Sequence, residues 1–250
     1  MKKILMGLLF LPCIAHASGT RTFSFGSGGG TITISSGSAS TSGTTYTYQQ
    51  NKECSASSYT IGCAFTGSVT AHSLLVVGCT TGFASQGINT VLITDTQGDV
   101  FSTAAVVANG NGGGAQETGV YYTMNAIGGA NTVTCHDLTN TATSIQLVAH
   151  EYLSNGAGSF DVASSSSTSA SIANPVSGNL TTTLSNEFVF AFASPIGGTT
   201  TGASGTTRYN SVDYYYAASE DAIVSSPSSY QSTFTQGTIY HWAMIQAAFK

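Results

Sequence analysis

Two apolar runs, Leu74-Leu75-Val76-Val77 and Phe188-Val189-Phe190-Ala191-Phe192, decide the fold of this chain. Neither run alternates polar with apolar residues, so each is typical of a central strand whose two faces are both covered. The alternation in Thr132-Val133-Thr134-Cys135 instead indicates a strand with one face in water. Together these patterns predict sheets that pack face to face.

Outward from these runs, short strands alternate with turn sequences such as Gln97-Gly98-Asp99 and Ile127-Gly128-Gly129-Ala130. The later strands are expected to include Ser169–Ala173 and Tyr214–Ala218. No window carries the apolar stripe and the caps of a helix. The sequence therefore predicts an all-β fold, a two-sheet antiparallel β-sandwich with jelly-roll-like connectivity, as a single domain over residues 44–250.

The N-terminus has the features of a signal peptide over residues 1–17. Lys2 and Lys3 precede an apolar run from Ile4 to Ile14, and Ala15-His16-Ala17 forms a small-x-small cleavage site. The apolar run is shorter than the ~20 residues that a membrane span needs. A lipoprotein acylated at Cys13 is the rival hypothesis. We expect a secreted protein, located outside the cell, at its surface or in the periplasm, with no membrane span.

Residues 18–43 consist almost wholly of Gly, Ser and Thr. Short alternations occur at Thr22-Phe23-Ser24-Phe25 and Thr31-Ile32-Thr33-Ile34. This leader is either a flexible segment or a weak pair of edge strands.

The charge balance argues against several partners. Without residues 1–17 the cations are Arg21, Lys52, Arg208 and Lys250, against eleven carboxylates, a formal charge of −7. Nucleic-acid binding needs clustered cations that neutralise phosphates, and docking on anionic lipid needs the same. We therefore expect no nucleic acid as a partner; a glycan or another surface protein is the expected kind.

Four cysteines follow the predicted cleavage site, and an even number in an exported chain suggests two disulfides with three pairings available. Cys54 and Cys63 flank a Ser-Ala-Ser-Ser turn, which favours a local bridge. Cys79 and Cys135 lie in apolar alternating runs and would pair if those strands are neighbours.

A resemblance to a known family rests on three parts of the sequence. These are Val69–Gly78 leading to Val91–Phe101, Gly128–Thr134 followed by Ala149–Tyr152, and the closing strand Tyr240–Lys250. In order and spacing they resemble a family of exported bacterial and phage-associated β-sandwich surface domains, concanavalin-like or jelly-roll modules. The resemblance implies a fold and an extracellular location, and it implies no active site. His72 and Cys79 depart from the pattern, which has Gly and a β-branched residue there.

Asp95 and Asp99 flank the turn Thr94-Asp95-Thr96-Gln97-Gly98-Asp99. Two carboxylates with backbone carbonyls could hold calcium, which takes six to eight oxygens. The alternative is a hairpin turn whose aspartate caps its own backbone, and we favour it. No other cofactor is expected.

His136-Asp137 and His150-Glu151 are the pairs that most resemble chemical sites. Zinc could be held by both histidines and a carboxylate if their strands met in one register. Neighbouring residues of a strand face opposite sides, however, so a buried, hydrogen-bonded acid is the preferred interpretation of Glu151.

The densest aromatic–acidic patch comprises Tyr209, Asp213, Tyr214, Tyr216, Glu220 and Asp221. Sugar-binding surfaces combine aromatic faces with acids or amides, so this patch is a candidate glycan site. Trp242 is expected in the core.

No catalytic residue is proposed from the sequence, because it lacks the nucleophile, metalloprotease and phosphate-loop signatures. The leading hypothesis is a secreted, non-enzymatic β-sandwich module of a surface, fibre or adhesion system. The alternative is a carbohydrate-binding or glycan-cleaving extracellular domain.

Overall fold

The fold is taken from a computed structural model that describes residues 20–23, 32–35, 44–83, 90–111, 114–172, 174–194, 200–202, 205–210, 217–237 and 240–250. The chain divides into two units, Met1–Ser42 and Gly43–Lys250. All regular structure in these residues is β-strand, without any helix. The predicted all-β class is confirmed.

The first unit contains one antiparallel strand pair. β1 (Thr20–Phe23) pairs with β2 (Ile32–Ser35), with Thr20 opposite Ser35 and Phe23 opposite Ile32. Of the two expectations for the leader, the structure has the strand pair. The predicted signal peptide lies outside the described residues.

The second unit contains seventeen strands in the described residues: β3 (Tyr46–Ala56), β4 (Thr60–Ala64), β5 (Leu74–Phe83), β6 (Val91–Asp95), β7 (Ser102–Asn111), β8 (Gly114–Thr123), β9 (Thr132–Asp137), β10 (Ala142–Ser154), β11 (Phe160–Ile172), β12 (Leu180–Thr181), β13 (Glu187–Ser194), β14 (Thr200–Gly202), β15 (Thr206–Asn210), β16 (Ala218–Val224), β17 (Ser229–Tyr230), β18 (Phe234–Gln236) and β19 (Tyr240–Phe249).

Three sheets organise this unit, and all their pairings are antiparallel. Sheet I has the order β3-β10-β5-β8-β7, sheet II the order β11-β19-β13-β16-β15, and sheet III the order β4-β9-β6. The two apolar runs lie where they were expected, on β5 at the centre of sheet I and on β13 at the centre of sheet II. Sheet I uses strands before residue 155 and sheet II uses strands after it, so each large sheet comes from one part of the chain.

Sheets I and II pack through a core rich in aromatic side chains. Leu74 and Val76 of sheet I meet Phe188, Phe190 and Phe192 of sheet II, all at most 2% exposed. A Cβ atom on Gly78 would lie 2.6 Å from the ring of Phe192. Glycine is therefore required at this contact between the two sheets.

The opposite face of sheet I is covered by sheet III. Leu75 and Val77 of sheet I pack against Ile93 and Val133 of sheet III. Disulfides Cys79–Cys135 and Cys54–Cys63 both join these two sheets, with Cα–Cα distances of 6.6 Å and 5.6 Å. Both expected pairings are present, although Cys79 and Cys135 meet across two packed sheets and not on neighbouring strands.

The outer face of sheet II is covered by short strand pairs. Trp242 packs with Phe234 and Met244 in one cluster, and Leu180 packs with Val224 in another. Trp242 is 4% exposed, so its expected core position is confirmed.

Strands β11 and β16 differ from the bounds that the sequence predicted. β11 begins at Phe160 and β16 covers Ala218–Val224, whereas the sequence predicted strands at 169–173 and 214–218. Serines in β11 and acids in β16 interrupt the apolar alternation on which a prediction depends.

Side-chain hydrogen bonds link the edges of sheets I and II. Ser167 Oγ on β11 donates to the carbonyl of Ala108 on β7 (3.0 Å), and Asn51 Nδ2 on β3 donates to the carbonyl of Arg208 on β15 (2.8 Å). Because an open edge strand is a site for unwanted pairing, these links protect both sides of the sandwich.

Candidate functional site

The described residues of the predicted glycan patch lie largely inside the molecule. Tyr209 is half-buried on β15 and packs against the core between sheets I and II. Glu220 and Asp221 on β16 are 2% and 6% exposed. Asp213, Tyr214 and Tyr216 lie outside the described residues. The two acids are therefore not presented to solvent as a sugar-binding surface requires.

Asp221 is the centre of a polar network between sheets I and II. Its carboxylate accepts hydrogen bonds from Arg208 Nε (2.5 Å) and Nη2 (2.9 Å) and from Tyr152 Oη (2.9 Å). The Arg208 guanidinium also lies 4.4 Å from the ring centre of Tyr48. The hydrogen bonds that Arg208 donates to Asp221 raise the pKa of Arg208. A buried carboxylate needs such a partner, so Asp221 has a structural role here.

Glu220 faces the other side of β16, as neighbouring strand residues must. Its Oε2 accepts a hydrogen bond from the backbone N–H of Gly205 (3.2 Å). The adjacent acids of the predicted patch therefore act on opposite faces of sheet II.

The two histidines considered for zinc lie in different layers. His150 is fully buried between sheets I and II, where its Nε2 is 3.1 Å from Ser219 Oγ. Burial lowers its pKa to about 3, with a smaller effect of Arg208, so the ring is neutral. His136 lies on sheet III, edge-on to Tyr59 with ring centres 5.9 Å apart. The zinc hypothesis, which required both rings at one place, is therefore wrong.

Glu151 is a buried, hydrogen-bonded acid, as expected. Its Oε1 accepts from the backbone N–H of Thr70 (2.7 Å), and its Oε2 accepts from Gln50 Nε2 (2.6 Å). The carboxylate thereby holds the loop before β5 against sheet I.

Asp95 and Asp99 organise their own turn. Asp95 Oδ1 accepts from the backbone N–H groups of Gly98 (2.8 Å) and Asp99 (2.9 Å), and its Oδ2 accepts from Asn131 Nδ2 (2.7 Å). Asp99 Oδ1 accepts from the N–H of Ile127 (2.9 Å). Burial, followed by the hydrogen bond with Asp95, raises the pKa of Asp99 to about 6. These contacts are those of the self-capping turn that the sequence favoured.

No group of three or more His, Cys, Asp or Glu side chains is placed to hold a metal ion in the part of the chain that the structure describes.

The outer side of sheet III is a surface whose strand residues include no Asp, Glu, Lys or Arg. The register aligns Gly62 with Thr134 and Thr94, and it aligns Ala64 with Thr132 in the next row. The third row is Thr60, His136 and Leu92. We name the surface formed by these eight residues the threonine face.

The side chains of the threonine face are evenly spaced because they lie on paired β-strands. Paired strands lie ~4.8 Å apart and alternate residues ~6.7 Å apart, which sets the spacing of the hydroxyl groups. Gly62 and Ala64 add little bulk between them. The inward residues Cys63, Val133 and Cys135 are all fully buried, and the two cysteines link the inner face of sheet III to sheet I by disulfides.

A cleft opens at the end of sheet I where β8 and β10 end and β5 begins. Its volume is about 440 Å³, and its lining residues are His72, Met124, Asn125, Ser154, Gly156, Ala157 and Gly158. We name it the end cleft. Sequence reasoning missed it, because its residues come from three separate loops.

His72 has an unusual backbone in the end cleft. Its φ is 67°, in the left-handed region that glycine adopts freely and that costs other residues energy. The imidazole Nδ1 lies 2.6 Å from Asn125 Oδ1. Because an amide oxygen only accepts, Nδ1 carries the proton and donates it.

Comparisons with protein-family models, curated proteins and solved structures found no match to this chain. Across the described ranges, the structure contains no helix with the length and apolar character for crossing a membrane.

Proposed function

We propose that the chain is a secreted, non-enzymatic β-sandwich module of an extracellular surface or fibre assembly, in which copies pack through their threonine faces. The observation that carries the proposal is the threonine face itself, an exposed three-stranded sheet without a charged side chain among its eight residues. Sheets pack face to face at ~10 Å, and small side chains allow that approach.

The composition supports this role. Only 7% of the residues are charged, so hydroxyl groups and methyl groups dominate contacts that the chain can make. The two disulfides that hold sheet III suit an oxidising, extracellular location. Four of the nominated carboxylates, those of Asp95, Asp99, Glu220 and Asp221, are engaged in hydrogen bonds within the fold.

Analytical ultracentrifugation of the purified chain across roughly the micromolar to millimolar range tests the proposal. We expect association that NaCl leaves unchanged, since screening affects charged contacts only. The double variant Thr94→Lys, Thr134→Lys places like charges on the face and should weaken association at least about tenfold. Thr103→Lys on β7, at another exposed strand position, is the matched control and should associate as the wild type does. A wild type that stays monomeric throughout the range would contradict packing through this face.

Carbohydrate binding is a second candidate function, favoured by the aromatic pair at one end of the threonine face. Tyr59 is 43% exposed and lies edge-on to His136. An exposed ring beside hydroxyl groups can stack on a pyranose and donate to its oxygens. On a glycan array, Tyr59→Ala should lose any signal and Tyr59→Phe should keep it. A signal unchanged in Tyr59→Ala would reject this candidate.

A further inference from the structure

We infer that the end cleft is a binding site for a soft univalent metal ion, Cu(I), with His72 and Met124 as its ligands. This site is separate from the threonine face and does not depend on the proposed function.

The first observation is the way in which the imidazole of His72 is held. A histidine that binds a metal through one ring nitrogen characteristically donates its other N–H to a fixed acceptor. Asn125 Oδ1 is such an acceptor, 2.6 Å from His72 Nδ1. The contact fixes the tautomer in which Nε2 carries a lone pair, so Nε2 is the ring nitrogen left to bind a metal ion.

The second observation is the kind of metal-ligand atoms that line the cleft. Met124 brings a thioether to the same cleft, whereas Met244 is fully buried in the core of sheet II. Thioether and imidazole are ligands that Cu(I) prefers, and carboxylate and carbonyl oxygens suit Ca²⁺ and Mg²⁺. None of the seven residues lining the cleft is an Asp or a Glu. Two neutral donors therefore select a soft ion of low charge.

The third observation is the backbone strain at His72. A φ of 67° lies in the left-handed region, which costs a histidine conformational energy that glycine would not lose. A side chain kept at such a position is a reason to look for a function of that side chain.

The glycines complete the cleft. A Cβ atom on Gly158 would lie 2.0 Å from Tyr46 Oη and 2.8 Å from Met124 Cε, so only glycine leaves room for both side chains there. Ser154 Oγ donates to the carbonyl of Gly156 (3.0 Å), which holds the turn opposite His72.

Competition of the purified full chain against a chromogenic Cu(I) chelator tests the inference, with Ag(I) and NMR of the Met124 methyl group as an independent readout. We expect one ion per chain, with a dissociation constant on the order of 1 µM or tighter. His72→Gly and Met124→Leu should each weaken binding at least about tenfold, as expected for loss of one of two ligands.

Matched variants separate metal binding from stability. Asn140 also has a positive φ, 56°, outside the cleft, so Asn140→Gly tests relief of the backbone without loss of a ligand and should bind Cu(I) normally. Met244→Leu removes a thioether from the core and should leave affinity unchanged. Asn125→Leu should weaken binding about 10–100-fold, and Asn125→Asp, which restores an acceptor, should recover it.

Three results would overturn the inference. They are no Cu(I) or Ag(I) binding by the wild type, binding that His72→Gly and Met124→Leu leave unchanged, and binding lost equally in Met244→Leu. Retained folding of His72→Gly, shown by its thermal midpoint, ensures that a loss of binding reports the ligand and not the fold.

Discussion

The two faces of sheet I are attached to their neighbours by different means. Sheet III is attached by two disulfides around a core that includes Val77, Ile93 and Val133. Sheet II is attached by phenylalanine rings and by the network of Asp221, Arg208 and Tyr152. The difference follows from area: a three-stranded sheet buries less apolar surface than a five-stranded one, so covalent links contribute more of its stability.

Removing the long-range disulfide should produce the largest effect. Cys79→Ala with Cys135→Ala opens a link between residues 56 apart, and the chain-entropy relation predicts a loss of about 4 kcal/mol in the free energy of unfolding. Cys54→Ala with Cys63→Ala opens a link of only 9 residues and should lose about 2.7 kcal/mol. Urea unfolding of both double variants checks the order. Equal losses would show that loop length does not govern this interface.

Breaking the buried ion pair should be the next largest effect, and it acts on the other interface. Asp221→Asn leaves the Arg208 guanidinium without its carboxylate, and we expect a loss of about 3 kcal/mol. Asp161→Asn breaks the pair with Lys250, which is exposed to a similar degree as Arg208 (32% against 26%). Asp221 also accepts from the buried Tyr152 hydroxyl, so we expect the smaller loss, about 1 kcal/mol, in Asp161→Asn. Thermal and urea unfolding of the two variants make the comparison. An Asp221→Asn protein as stable as the wild type would contradict the role of the network.

The smallest effect is the first loss of stability on mild acidification, to which His150 contributes between sheets I and II. The pKa of His150 is lowered from 6.5 to about 3, so between these values the unfolded chain binds a proton that the folded chain does not. The stability contributed by the neutral ring is present above pH 6.5 and is lost as the pH falls towards 3, and one pH unit below 6.5 the expected loss is about 1.4 kcal/mol.

Asp99 acts with the opposite sign, because its pKa is raised from 3.8 to about 6 and the folded chain takes up the proton first. Unfolding measured against pH in Asp99→Asn therefore removes this opposing contribution, while His241, whose pKa burial also lowers, adds to the effect of His150. His150→Gln in that background should remove most of the remaining slope. A slope that persists in the double variant would assign the pH dependence to other groups.

Much of the fold could be predicted, because a continuous apolar run indicates a strand that is buried on both faces. The runs at Leu74 and Phe188 predicted the two central strands, and the alternation at Thr132 predicted a strand with one wet face. β16 could not be predicted this way, since Glu220 and Asp221 look like surface residues until their partners are known. The partners, Gly205 and Arg208, come from outside β16 itself.

The candidate sites were less predictable than the fold. The threonine face is present in the sequence as three alternating segments, but its rows exist only once β4, β9 and β6 pair in register. The end cleft has no local signal, because His72, Asn125 and Ser154 are separated by many residues along the chain.

The sequence by itself determined the all-β class and the central strands, because both depend on local periodicity, and it favoured the two cysteine pairs among three possible pairings. Only the tertiary structure decided that sheet I carries a partner on each face and that Asp221 is an internal anion. It also decided that His72 and Met124 share a cleft. These features arise from contacts between residues far apart in the chain, and such contacts leave no pattern in any short window of sequence.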